Sequence, residues 1–71
     1  MTQMSQQEAR EPRRRTLARM SKYALAQMCQ AGVRTPAGTR VVIEGGAAPV
    51  IDWAKDEIVE TILDVEFGSA E

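Results

Sequence analysis

Apolar residues recur with a helical period across residues 13–31. Leu17, Met20, Ala24, Leu25, Met28 and Ala31 share one broad arc of a wheel turning about 100° per residue, with Cys29 at its edge. Ser21 is a fitting N-cap inside this run, because its hydroxyl can accept a backbone N–H two or three residues on. That divides the segment into a short turn around "TLARM" and a helix "KYALAQMCQA". Gly32 suits the helix end, since it takes positive φ without steric cost, and Val33 is expected to fold back onto that end. Thr35, Pro36 and Gly38 mark a loop.

Over residues 39–52 the period changes. "RVVIE" is short and β-branched, Gly45 and Gly46 can supply the positive φ angles of a two-residue turn, and "AAPVID" returns. Pro49 cannot donate to a ladder, so the second strand lies at an edge or pairs poorly. An ordered, irregular loop is the rival reading. Asp52 is then the N-cap of a last helix, "WAKDEIVETILDVEF", with Asp56 and Glu57 favouring its positive end. Ala54, Ile58, Ile62 and Val65 fall on one face of it with Val59 beside them, while Glu60 and Asp64 turn outward. Residues 1–11 are polar and Gln-rich, lack an apolar period, and are expected to be disordered alone. The fold class is mainly α: two main helices joined by an extended loop or β-hairpin, with an irregular basic N-terminal arm. Residues 1–16 form the flexible arm, 17–67 the domain and 68–71 a tail.

With 71 residues the chain supports one small core, and such cores are marginal alone. The net charge of −1 conceals an asymmetry. Residues 1–23 hold six basic and two acidic side chains, whereas residues 24–71 hold three basic and eight acidic ones. A basic arm on an acidic body points to docking on something anionic, either nucleic acid or a protein, including the acidic body of another copy. No apolar run approaches the length that spans a bilayer, and the N-terminus lacks the apolar segment of a secretory signal. The expected location is inside a cell or within a virus particle.

Catalytic and cofactor chemistry find no support. The chain has no histidine and one cysteine, so no protein metal site or internal disulfide is expected. Cys29 falls toward an apolar helix face, where a thiol acts as a small hydrophobe. The carboxylates of the last helix spread around it as a solvated face. No glycine-rich loop joins a lysine at nucleotide-binding spacing, and no small-molecule substrate or cofactor is implied. Two sets of residues remain as candidate contacts. One is the arm: Arg10, Arg13, Arg14, Arg15, Arg19 and Lys22. If it binds phosphates, replacing Arg13, Arg14 and Arg15 by Ala should lower the salt slope by about three at most, one per lost phosphate contact. The other is the hairpin: Arg40, Val42, Glu44, Gly45, Gly46 and Pro49. Trp53 either fixes the loop from within the core or stands out as an interface anchor.

Two pieces resemble a known group. "LARMSKYALAQMCQAGV" has the form Leu-x-x-Met-Ser-x-x-x-Leu followed by Gly-Val, and "KDEIVETIL" has the form Lys-x-x-Ile-x-x-x-Ile-Leu. In that order they resemble helix–extended loop–helix domains: the SAP motif, the LEM domain and the N-terminal domain of the transcription terminator Rho. The resemblance implies a core of Leu17, Met20, Leu25, Met28, Val33, Ile58 and Ile62, a cap at Ser21, and Lys55 before the second helix. The linking segment, residues 34–52, is longer than that pattern, and the second helix is strongly acidic. Members of the group bind DNA, RNA or proteins, and similar small domains occur in phage proteins. The expected function is a non-enzymatic interaction module, a small component of a larger assembly such as a virus particle, docked through arm and hairpin. The alternative is a nucleic-acid-binding module of the SAP or Rho N-terminal type with little sequence preference. Inhibition of a partner enzyme is a third reading.

Overall fold

A computed structural model describes residues 6–68; the expectations for residues 1–5 and 69–71 lie outside the described residues. Three helices, α1 (Gln6–Ala18), α2 (Lys22–Ala31) and α3 (Lys55–Phe67), enclose the core. Between α2 and α3 lie β1 (Val33–Arg34), β2 (Arg40–Val41) and a 3-10 turn, Val50–Asp52. The chain is mainly helical with a short antiparallel hairpin between helices, as its pattern predicts. No described helix is long and apolar enough to cross a membrane.

α2 forms where its local signals place it. Ser21 Oγ accepts the Ala24 N–H at 3.1 Å, satisfying one orphan donor of the first turn. Gly32 ends the helix at φ +107°, and its N–H donates to the Met28 carbonyl at 3.0 Å. Leu25 and Cys29 point inward, and Val33 turns back into the core.

The described part of the arm is not irregular. α1 runs through Pro12, which lacks the N–H for its helical bond and costs about 3 kcal/mol or more in a helix interior. The offset is tertiary. Arg10, Arg13, Arg14 and Leu17 follow the i, i+3, i+4, i+7 spacing of one face, and that face lies on α3. Ala18 meets Lys55 and Arg10 meets Asp64, so the two helices run antiparallel. Lys55 Nζ donates to the Ala18 carbonyl at 2.6 Å, placing a cation at the negative end of α1.

The hairpin is displaced from its predicted position. Val33 pairs with Val41 and Arg34 with Arg40, so the strand partner of "RVV" precedes it rather than follows it. Residues 35–39 close the turn, with Thr35 N–H donating to the Thr39 carbonyl at 2.7 Å and Thr39 N–H to Thr35 Oγ1 at 3.1 Å. Beyond β2, Ile43 N–H donates to the Cys29 carbonyl at 3.0 Å, which ties the chain to the end of α2. "APVID" is therefore no strand. Pro49 leads into the 3-10 turn, where Asp52 N–H bonds to the Pro49 carbonyl at 2.9 Å. Trp53 and Ala54 beyond it are extended, with ψ 159° and 144°, so α3 starts after them: its N-cap is Ala54, without a side-chain bond, not Asp52.

The core joins Leu17, Leu25, Cys29, Val33, Ile43, Val50, Ile58, Val59, Ile62 and Leu63, with Met20 and Met28 partly buried against it. Of the α3 face expected from periodicity, Ile58 and Ile62 are buried, Ala54 is exposed and Val65 lies half-buried. α3 touches α1, α2 and β1, so its buried arc widens to include Val59 and Leu63.

Candidate functional site

The six cationic arm residues divide into two groups. Arg10 Nη2 donates to Asp64 Oδ1 at 2.8 Å and lies 3.6 Å from Glu60 Oε1. Arg13 grips Glu66 with two bonds, Nε to Oε1 at 2.9 Å and Nη2 to Oε2 at 2.7 Å. Arg14 reaches Glu60 at 2.8 Å and Glu11 at 2.6 Å. The hydrogen bonds to Glu66 and Glu60 raise the Arg13 and Arg14 guanidinium pKa values above their ordinary range, against a smaller desolvation effect. Glu60 and Asp64, read from the sequence as outward and solvated, thus receive the arm. Arg15 and Arg19 are exposed, Lys22 is half-buried, and none of the three has an ion-pair partner among the described residues.

A shallow hollow of about 710 Å³ lies between α1 and α3 over Arg14, Ala18, Lys55 and Glu60. Most of its polar groups serve the fold: Arg14 is bonded to Glu60 and Lys55 to Ala18, while Asp56 on its rim is exposed. It follows the seam between the two helices.

The connecting segment offers a different surface. Val42 is 51% exposed and Glu44 is exposed, while Ile43 between them is buried. Val42, Gly45, Pro49 and Ile51 border a hollow of about 390 Å³ whose far wall is Ala26 and Gln30 of α2. A second hollow of about 280 Å³ continues from it past Ile51 to Tyr23, which is 67% exposed. Together they form one groove along the 23, 26, 27, 30 face of α2.

Its floor is held by backbone. A Cβ on Gly45 would lie 2.1 Å from the Ala48 carbonyl oxygen and 2.7 Å from Pro49 Cα, so only glycine lets the chain fold there. Gly46 turns at φ +66°. Trp53 is half-buried, and its indole N–H donates to the Ala48 carbonyl at 3.2 Å. It braces the loop behind the groove.

The structure therefore brings Val42, Glu44, Gly45 and Pro49 to one groove and directs Arg10, Arg13 and Arg14 to α3. Tyr23, Ala26, Gln30 and Ile51 were not singled out by sequence reasoning. The signal for Tyr23, Ala26 and Gln30 is a second helical stripe of α2, away from the Leu25 and Cys29 side; Ile51, in the 3-10 turn, has no such period. Cys29 is fully buried, and desolvation raises its pKa above the ordinary 9.0, which leaves it no nucleophile. No protein-family model matches the chain, and neither does any curated protein or solved structure.

Proposed function

We propose that this protein is a non-enzymatic protein-interaction module that receives a peptide segment of another protein in the groove between α2 and the connecting segment. The observation that carries the reading is the continuous apolar lining of Tyr23, Val42 and Ile51, large side chains left exposed around a preformed hollow. The chain has three aromatic residues, and one of them stands on this face. Such a role fits a small component of a larger assembly, a virus particle among them.

The test is a selection from a displayed library of random peptides on the immobilised protein. Retained peptides should lose binding to an Ile51→Asp variant that keeps the wild-type circular dichroism. Peptides that bind this variant equally well would place the contact elsewhere and end the proposal.

A second reading is the nucleic-acid module that the helix–extended loop–helix resemblance suggests. Arg15, Arg19 and Lys22 support it, as cations at the α1–α2 junction without an acidic partner among the described residues. The pairing of Arg10, Arg13 and Arg14 with α3 weighs against it, because phosphates would have to displace carboxylates already in place. Absence of binding to duplex or single strand at low salt would remove it.

A further inference from the structure

Arg34 and Arg40 stand directly opposite each other across the hairpin. The Thr35 N–H to Thr39 carbonyl bond sets the ladder's phase, so the arginine pair falls in the non-hydrogen-bonded position, where facing side chains are closest. Both are exposed, and neither has an ion-pair partner among the described residues. Like charges in direct opposition destabilise a strand pair. Arg40 is also held in position. Its stem lies across Gly32, where a Cβ would come 2.3 Å from Arg40 Cγ.

Arg40 stands two residues before Val42, which borders the groove. Val33 is buried and faces Val41, so Arg34 and Arg40 occupy the outer side of the ribbon. Val41 is also exposed, at 38%, and beyond it Val42 and Glu44 are exposed while Ile43 between them is buried. The outer side thus presents, in order, two guanidiniums, an apolar side chain that borders the groove, and a carboxylate. Same-side positions on an extended chain are about 6.4–6.8 Å apart.

Resting on the groove reading above, we infer that the partner is an extended peptide with an apolar anchor and an acidic residue about two positions to one side of it. The anchor enters beside Val42 and Ile51, and the carboxylate bridges Arg34 and Arg40. Glu44 favours a peptide over nucleic acid. A uniformly anionic backbone crossing this surface would meet that carboxylate, whereas a peptide can change sign within two residues.

The experiment is a pair of library selections, on the wild type and on an Arg34→Gln/Arg40→Gln variant, which keeps the side-chain stems. Wild-type peptides should be enriched in Asp or Glu near an apolar anchor. One such peptide, made synthetically, should bind the double variant about tenfold more weakly. Selection on the variant should keep the anchor and lose the acidic preference. Wild-type peptides without acidic enrichment, or acidic enrichment undiminished on the variant, would overturn the inference while Ile51→Asp still abolishes binding. Peptides insensitive to Ile51→Asp would instead overturn the groove reading itself. A short DNA duplex that binds the wild type and is lost with Arg34→Gln/Arg40→Gln, with no peptide enriched, would assign the arginines to phosphate and refute the inference.

Discussion

Breaking the Arg13–Glu66 pair measures how much of the α1 contact is ionic. Both guanidinium bonds are short, at 2.9 and 2.7 Å, and the side chains are 37% and 18% exposed. Exposed pairs contribute about 0.2–1 kcal/mol, and two-point charge-assisted bonds lie at the strong end. We therefore expect a coupling of about 1 kcal/mol. Arg10–Asp64 makes one bond, with Asp64 53% exposed, and should couple by about 0.3 kcal/mol. Leu17 is fully buried, and its truncation to Ala should cost about 2–5 kcal/mol, so burial outweighs any single ion pair in holding α1. The assay is a double-mutant cycle by urea unfolding of wild type, Arg13→Ala, Glu66→Ala and the double variant. A 1 kcal/mol change also moves Tm by about 4–8 °C in a domain of this size. The coupling should shrink in about 1 M salt, where screening acts within about 3 Å. The raised Arg13 pKa stabilises the fold fully below the ordinary arginine value, and this contribution is lost only as pH rises through the still higher folded-state value. The pair should therefore show no arginine-linked loss near neutral pH. Additive single variants, or a larger coupling for Arg10–Asp64, would refute the reasoning.

Three further outcomes follow from the same geometry. If the protein binds nucleic acid, replacing Arg13, Arg14 and Arg15 by Ala should lower the salt slope by about one rather than three, because Arg13 and Arg14 are engaged by α3; salt titration of a labelled duplex checks this. Gly32→Ala should destabilise by about 1–3 kcal/mol in urea, since it forces φ +107° on a residue with a Cβ and displaces the Arg40 stem. Cys29 should resist a thiol reagent in the folded protein and react on unfolding. Because its folded-state pKa is raised, stability should be greatest below the ordinary 9.0 and decline as pH rises above it, and Cys29→Ala should remove that decline.

α2 was legible because every signal for it is local: the Ser21 cap, the Leu25 and Cys29 side, and Gly32 at the end. α1 was not, because Pro12 argues against a helix and the stripe that holds it is ionic as well as apolar. Read as a charge period, Arg10, Arg13 and Arg14 matched Glu60, Asp64 and Glu66 across more than forty residues, a pairing visible only when the chain is folded. A hairpin between the helices was foreseen, but a two-residue strand such as Val33–Arg34 is too short to carry a pattern. Gly45 and Gly46 looked like its turn, whereas Gly45 serves a close backbone approach at Ala48 and Pro49. Asp52 ranks above Ala54 as a cap, yet it lies in the 3-10 turn and the two residues after it are extended, which puts it out of reach of the first helical turn. The groove escaped notice because its walls come from α2 and from residues 42–51, which the chain brings together through the Ile43–Cys29 bond.

The antiparallel seating of α1 on α3 also fixes how the molecule yields to force. The described chain enters beside Arg10 and leaves beside Asp64 and Glu66, so a load applied at these two ends pulls across the α1–α3 seam. The ion pairs then open one after another, as in a zipper, before the load reaches Leu17. A fold gripped at opposite ends would instead bear the load on many contacts at once. Stretched between two neighbours in an assembly, this protein should peel open at low force and leave α2 and its groove for last.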